Sequence, residues 1–206
     1  MIFLIIVYFV KSYNNNYKNY NILYYNISYY MLEIKTSTIP NGGLGIFAKK
    51  IYKKGDWITD YPGKYVNSNQ YEKLMNKGDF NTYYYSIYNQ YNNKTLIGDS
   101  QFKSDISQCG HLINDINNIT YNEIFDNNKI KEYIYSKKNT NVEFVIDGDK
   151  IQLFARKNIS KNEELFAHYG VMYWIDGVIN NNFKKLVFDE KSLYNFRRWA
   201  EKLDSK

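Results

Sequence analysis

The chain has 206 residues, of which 44% are hydrophobic and 23% are charged, so it is long and apolar enough for one globular domain with short flanks. Its single cysteine, Cys109, excludes an internal disulfide bond. With only two histidines besides that cysteine, the chain lacks the four Cys or His ligands of a structural zinc site, and we expect no metal.

The net charge of +6 is concentrated at the two ends of the chain. Residues 1–30 contain two lysines and no acid, which gives +2, and residues 181–206 contain seven basic and four acidic side chains, which gives +3. The remaining 150 residues therefore carry 6 − 2 − 3 = +1. A solvated basic flank accounts for this distribution better than a nucleic-acid-binding face does, so we do not expect direct nucleic-acid binding.

Residues 1–30 have the composition of a leader rather than of a folded domain. Residues 1–10, MIFLIIVYFV, are shorter than the ~20 apolar residues of a membrane-spanning helix and lack the basic start and cleavage site of a secretory signal. Residues 11–30 are rich in Asn and Tyr and have no clear period. We predict a low-complexity, disordered leader, or an over-extended start of the reading frame, before a domain that starts at Met31. A membrane anchor is the alternative, and a membrane partner is not expected.

The next part of the chain has mostly the pattern of short strands. Residues 45–48 and 56–61 are short apolar segments on either side of a turn-like Lys-Lys-Gly sequence. Within residues 142–155, an alternating apolar segment, an Asp-Gly turn sequence and a second apolar segment predict a β-hairpin.

Two segments have a helical pattern. Residues 70–77 predict a short helix, and residues 188–203 place Leu193, Phe196 and Ala200 at helical spacing. Strands do not alternate with long helices, so a doubly wound parallel sheet is not expected. The predicted fold class is mainly β with short helices (α+β), followed by a C-terminal helix.

Four short motifs contain the residues that can carry chemistry. The first, NGGLGIFA at 41–48, fits the glycine pattern of a dinucleotide-binding turn, but Pro40 precedes it and a strand-like segment follows it, which excludes that fold. The second, DYPG at 60–63, is a strand end that runs into a turn. Glycines in such turns let the backbone approach a ligand closely.

The third motif, CGHLIND at 109–115, places a cysteine two residues from a histidine. Side chains this close in sequence rarely face each other as nucleophile and base, so we predict that Cys109 is a buried, small apolar residue. The fourth motif, at 155–174, runs from a strand through a polar turn into an acidic pair, then Tyr169-Gly170 and a Tyr-Trp pair.

The order of these motifs along residues 31–174 resembles the SET domain. The resemblance lies in G-x-G-I-F-A, Y-x-G, H-L-I-N, a hairpin, and E-E-L-x-x-x-Y-G-x-x-Y-W. It implies a fold of small curved β-sheets with a pseudo-knot, in which the Asn motif passes beneath the segment that ends in the catalytic tyrosine. The predicted division is a leader at 1–30, a SET domain at 31–174 and a C-terminal helical flank at 175–206.

The resemblance implies a binding site for S-adenosylmethionine, with no metal. The glycine turn matches the backbone that holds the methionine part of this cofactor, and the His-Leu-Ile-Asn stretch matches the residues that hold its amino and adenine groups. The implied cofactor-binding residues are Gly43, Leu44, Gly45, His111, Asn114 and Asp115.

The resemblance also implies two catalytic residues. Tyr169 matches the catalytic tyrosine, and Tyr61 matches the tyrosine that lines the channel for the substrate lysine. With 23 tyrosines in the chain, only their places in the ordered motifs distinguish these two from core residues.

Several positions depart from the family pattern. Asp115 and Ile116 follow the motif Asn where the family usually has His-Ser, and His111 stands where Arg is frequent. Residues 116–140 form a long insertion, and Ala167 occupies a position that is often Phe or Tyr and influences the number of methyl groups added. The cysteine-rich zinc flanks of many histone methyltransferases are absent from this sequence.

The resemblance implies an S-adenosylmethionine-dependent protein-lysine N-methyltransferase. Its partner would be a protein with a lysine-bearing tail, a histone or another protein. The first alternative is a catalytically inactive SET-like binding or scaffold module, which the departures at Asp115 and Ala167 motivate. A weaker alternative is a nucleic-acid-associated protein that uses the basic flanks.

The C-terminal flank is expected to close the lysine channel. SET domains need an aromatic wall there, and this chain has no zinc-bound flank to supply it. We predict that residues 175–206 dock over the site and contribute at least one ring. The candidates are Phe183, Phe188, Tyr194, Phe196 and Trp199.

Overall fold

The computed structural model describes residues 31–40, 42–76, 86–98, 108–117, 119, 123, 126–182 and 190–204. The leader predicted at residues 1–30 lies outside these ranges. The described residues form ten short strands and four α-helices.

The strands are two to six residues long. They are β1 (Leu32–Thr36), β2 (Leu44–Ala48), β3 (Trp57–Asp60), β4 (Gly63–Val66), β5 (Ser86–Asn89), β6 (Lys94–Gly98), β7 (Asn114–Asp115), β8 (Val142–Asp147), β9 (Lys150–Ala155) and β10 (Phe166–Ala167). Within the described ranges they make four small sheets, in the orders β1-β2, β4-β6-β5, β3-β9-β8 and β7-β10. The last pair is parallel and the others are antiparallel.

The hairpin predicted within residues 142–155 is confirmed. Strands β8 and β9 pair antiparallel from Val142 with Ala155 to Asp147 with Lys150. Gly148 has a φ of 57° at the first position of the two-residue turn, a conformation that glycine adopts without steric cost.

The sheets enclose one main hydrophobic core. Each large aliphatic side chain that is removed from water there contributes roughly 1.5–3 kcal/mol to folding. Cys109 is fully buried in this core, as predicted. The largest aliphatic side chains of this core that are almost completely buried are Ile46, Ile113, Ile151, Leu153, Ile159 and Leu165.

The α-helices are α1 (Ser68–Asn76), α2 (Asn127–Ser136), α3 (Val171–Asn182) and α4 (Glu190–Asp204). The first and last confirm the helices predicted at 70–77 and 188–203. Two helices were not predicted from the sequence. They are α2, which lies in the long insertion, and α3, which continues beyond residue 174. Asp126 caps α2, because its carboxylate accepts hydrogen bonds from the backbone N–H groups of Asn128 and Lys129.

Helices α2, α3 and α4 surround a second, smaller hydrophobic core. Its buried members are Ile119, Ile130, Tyr133, Val171, Met172, Ile175 and Ala200. The carboxylate of Asp204, at the end of α4, accepts the backbone N–H of Val171 at the start of α3 (3.1 Å). The C-terminal helix is therefore tied to the chain directly after Tyr169-Gly170. None of the helices in the described part of the chain has the length and apolar character needed to cross a membrane.

Candidate active site

The glycine turn before β2 presents its backbone openly. Gly43 has a φ of 66°, and apart from Gly43 and its two chain neighbours no heavy atom of the described residues lies within 4 Å of the position that a Cβ atom would occupy there. The next side chain, Leu44, is 42% exposed. A ligand can therefore approach the main chain of this turn closely.

Glu164 supports the turn from below. Its carboxylate accepts hydrogen bonds from the Ser37 hydroxyl (2.6 Å) and from the backbone N–H and hydroxyl of Thr38 (2.7 and 2.5 Å). A Cβ atom on Gly45 would stand 2.2 Å from Glu164 Oε1. Because Gly45 has no side chain, the buried carboxylate of Glu164 can pack directly against its backbone.

Replacing Gly45 with alanine is expected to destabilise the protein by about 1–3 kcal/mol, because the new methyl group must displace an acid held by three hydrogen bonds. Urea unfolding measures this loss. Gly148→Ala is a comparison for backbone strain alone, since its methyl group would meet open space but the alanine would have to adopt a positive φ. A Gly45→Ala variant as stable as the wild type would contradict the close packing on Glu164.

Asn114 joins the glycine turn to the middle of the chain. Its side-chain N–H donates to the carbonyl of Leu44 (3.0 Å). In β7 it pairs with Phe166 of β10, so residues far apart in sequence run side by side and parallel. Asn141 binds the same segment, donating to the Glu164 carbonyl (2.8 Å) and accepting from the Phe166 N–H (2.8 Å).

A narrow cavity of about 30 Å³ opens beside this crossing. Its lining residues are mostly aromatic: Tyr61, Ser86, Ile87, His111, Ile113, Phe144, Tyr169 and Tyr173. The Tyr61 ring packs edge-on against Phe144 (6.1 Å between centroids) and against His111 (6.4 Å). The cavity is wide enough for a slender chain or a water molecule, and its walls are largely apolar.

Tyr169 connects the cavity to the glycine turn. Its hydroxyl donates a hydrogen bond to the carbonyl of Ile113, which also lines the cavity. The next residue is Asn114, which holds the Leu44 carbonyl. The Tyr169 ring packs edge-on against Tyr173, with centroids 4.7 Å apart. Two adjacent residues therefore join the aromatic cavity to the open backbone of the turn.

The sequence that forms this site matches a known protein family. A family model for the SET domain matches residues 43–170, more than half of the chain. The chain belongs to the SET-domain family. The match confirms the resemblance drawn from the order of the motifs, and the small antiparallel sheets with a few helices confirm the predicted fold class. No curated protein matches the chain.

SET domains are generally protein-lysine methyltransferases that use S-adenosylmethionine. The glycine turn of this SET domain fits such a cofactor, because the backbone at Gly43 is open and lies beside the exposed Leu44. Among the described residues, no group of three or more His, Cys, Asp or Glu side chains is placed to hold a metal ion.

The implied site residues fall into three groups in the SET domain. Gly43, Leu44 and Gly45 lie at the turn that Asn114 contacts. The side chains of Tyr61, His111 and Tyr169 line the aromatic cavity. The Asp115 carboxylate lies in neither place, so any contact of this residue with a cofactor would come from its main chain.

Asp115 is buried behind the segment that contains Tyr169. One of its carboxylate oxygens accepts hydrogen bonds from the Tyr133 hydroxyl (2.5 Å), the Trp174 indole (3.0 Å) and the backbone N–H of Tyr169 (3.1 Å). Burial raises the pKa of Asp115 to about 6, against the opposing effect of these hydrogen bonds.

Several residues that build the cavity and support the glycine turn were not predicted from the sequence. Phe144 and Tyr173 line the cavity, Glu164 supports the glycine turn, and Asn141 binds the crossing segment. Tyr173 and Glu164 stand inside the fourth motif, so their places in that motif were the available signal. Phe144 and Asn141 had no signal of their own beyond the hairpin pattern.

The described rings of the C-terminal flank differ from the prediction that residues 175–206 line the channel. Trp199 packs against the second core, and Tyr194 is 60% exposed. Phe183 and Phe188 lie outside the described residues, as does the side chain of Phe196. Among the described residues after Gly170, the ring that lines the cavity is Tyr173, at the start of α3.

Proposed function

We propose that the protein is an S-adenosylmethionine-dependent protein-lysine N-methyltransferase. The observation that carries the proposal is the pair of adjacent surfaces: a narrow aromatic cavity, and an open glycine turn joined to it through Ile113 and Asn114. Its substrate is a protein that offers a lysine on an exposed tail, a histone tail being one example.

The cavity suits the lysine half of the reaction. Transfer requires a neutral amine, because an ammonium group has no lone pair to attack with. The aromatic walls from Tyr61, Phe144 and Tyr173 withhold water from an inserted side chain, and such desolvation lowers the pKa of a lysine amine. A narrow channel also fixes the direction of the amine, which replaces a random encounter with a positioned one.

The Tyr169 hydroxyl suits the reacting centre as an acceptor. Because it donates its hydrogen to the Ile113 carbonyl, the oxygen can act on another group only through its lone pairs. When bound, the cofactor supplies an electrophilic methyl group on a positively charged sulfur, and that sulfur keeps the electron pair of the bond that breaks. An oxygen acceptor beside a positively polarised methyl group stabilises the charge that passes through it.

Two measurements on the full chain test the proposal. Transfer of a labelled methyl group from S-adenosylmethionine to core histones or to a cell extract tests the reaction. Calorimetry tests the site, because Asn114→Ala removes the amide that holds the Leu44 carbonyl and is expected to weaken cofactor binding at least tenfold.

Asn158→Ala is the matched control, since this amide binds the backbone of Lys54 at an exposed position. Equal cofactor affinity in the wild type and in Asn114→Ala would reject the site assignment. Cofactor binding without methyl transfer to any protein would favour the catalytically inactive binding module.

A further inference from the structure

The inserted helix α2 reaches the segment that carries Tyr169. Its Tyr133 side chain is buried, and the Tyr133 hydroxyl donates a 2.5 Å hydrogen bond to the Asp115 carboxylate. The same carboxylate oxygen accepts the backbone N–H of Tyr169 at 3.1 Å. A single acid therefore connects the insertion to the main chain of Tyr169.

Trp174 and His168 make further contacts between Asp115, Tyr133 and the segment that contains Tyr169. The Trp174 indole, one turn into α3, donates to the Asp115 oxygen at 3.0 Å, and its ring lies nearly parallel to the Tyr169 ring (12°, centroids 6.4 Å apart). His168, the residue before Tyr169, stacks on the Tyr133 ring with centroids 4.5 Å apart. The acid and Tyr133 thus hold Tyr169 and the residue before it.

A carboxylate is well suited to this task. It offers several acceptor sites, and its hydrogen bonds are about twice as strong as those between neutral groups. Three donors, from Tyr133, Tyr169 and Trp174, converge on one oxygen of Asp115. An imidazole has one acceptor nitrogen when neutral and none when charged, so it cannot replace this arrangement.

We propose that Asp115, held by Tyr133 of the inserted helix, is a positioning residue that sets the place of Tyr169 against the cavity. The inference rests on the proposed function, because the place of Tyr169 affects a rate only if a methyl group is transferred. It assigns the insertion at 116–140 a role in turnover through Tyr133.

Tyr133→Phe in the full chain tests this role. The variant keeps the ring in the second core and removes one donor to Asp115. We expect turnover to fall about tenfold while the affinity for S-adenosylmethionine stays within twofold, and the Tyr169 amide to exchange with solvent about tenfold faster. Amide exchange is followed by NMR on protein labelled with ¹⁵N-tyrosine, in which the Tyr169 signal is the one lost in Tyr169→Phe.

Tyr135→Phe is the matched control, since it makes the same change on the same helix at a side chain that is 69% exposed. It is expected to leave all three quantities unchanged. If Tyr133→Phe does not fold, Asp115→Asn replaces the charged acceptor with a neutral one of the same shape and is expected to give the same changes.

The outcomes separate this inference from the proposed function. Unchanged Tyr169 amide exchange in Tyr133→Phe or Asp115→Asn would overturn the inference, and so would a loss of cofactor affinity as large as the loss of turnover. A wild-type protein that transfers no methyl group would overturn the proposed function, whereas the amide exchange would still decide whether Asp115 and Tyr133 fix Tyr169.

Discussion

Tyr169→Phe is expected to lower the rate of methyl transfer by about 100- to 1000-fold, the usual cost of removing one positioned polar group from a reacting centre. The ring stays, with its contacts to Tyr173 and Trp174, so the shape of the cavity is retained. Only the hydroxyl that binds the Ile113 carbonyl is lost. The measurement is turnover with saturating S-adenosylmethionine and a labelled methyl group.

Tyr173→Phe is the control for this prediction, because Tyr173 lines the same cavity and packs against the Tyr169 ring. Its turnover is expected to stay within about fivefold of the wild type. A Tyr169→Phe variant with nearly normal turnover would contradict the role of the hydroxyl. Equal losses in both variants would show that the cavity needs both hydroxyl groups for its shape or hydration.

Local sequence patterns predicted much of the fold. The Asp-Gly turn between two apolar segments identified the β8–β9 hairpin, because the alternation and the turn specify the same pairing. The spacing of Ala200 with its apolar neighbours identified α4, and Ala200 is buried in the second core with Trp199 packed against it. The sequence pattern of each of these elements repeats within a few residues, so it can be recognised without knowledge of tertiary contacts.

Helix α2 was missed for a physical reason. Its buried residues, Ile130 and Tyr133, occur in a segment dominated by Asn, Lys and Tyr, so the apolar stripe is narrow. The Asp126 cap was the clearest local signal for its start. Most of the stability of such a helix comes from packing on α3 and α4, which local sequence does not show.

The candidate site depends on contacts between distant segments. Asn114 and Phe166 pair although about fifty residues separate them, and the Glu164 carboxylate occupies the space below Gly45. The order of the motifs indicated that these distant segments meet only because that order resembles the SET domain. The direction of the Asp115 side chain could not be predicted in this way, because the resemblance concerned the main chain at that position.

The structure therefore changes the interpretation of Asp115. As a departure from the usual His, it motivated the alternative of an inactive module. The three donors that converge on its carboxylate include the backbone of Tyr169 itself. This arrangement is consistent with the proposed enzyme, because the acid and the inserted helix support the segment that contains Tyr169.

The second large effect concerns stability and pH. Burial raises the pKa of Asp115 from 3.8 to about 6, so between pH 4 and 6 the folded protein keeps a proton that the unfolded chain has released. The free energy of unfolding contributed by Asp115 therefore falls as the pH rises, by about 3 kcal/mol at 1.36 kcal/mol per pKa unit. Asp115→Asn removes this loss, so its stability relative to the wild type is expected to rise by about 2 kcal/mol from pH 4 to 6.5.

His168 has the opposite effect over nearly the same range. Burial, then the nearby Lys137 and Arg156, lower its pKa from 6.5 to about 4, so the folded protein excludes a proton that the unfolded chain binds. Its contribution to the free energy of unfolding rises with pH by about 3 kcal/mol, so the two contributions nearly cancel in the wild type. His168→Gln is therefore expected to lose stability relative to the wild type, by about the same amount, as the pH rises from 4 to 6.5.

Urea unfolding of the wild type and both variants at pH 4, 5 and 6.5 measures these differences, and subtraction of the wild type removes the titration of all other groups. Asp147→Asn, at the exposed end of β8, controls for the loss of one negative charge. Differences that do not change with pH would contradict the buried state of Asp115 and His168. A rise with pH for Asp115→Asn together with a fall in its turnover would show that ionisation of the acid costs stability and that the acid supports turnover.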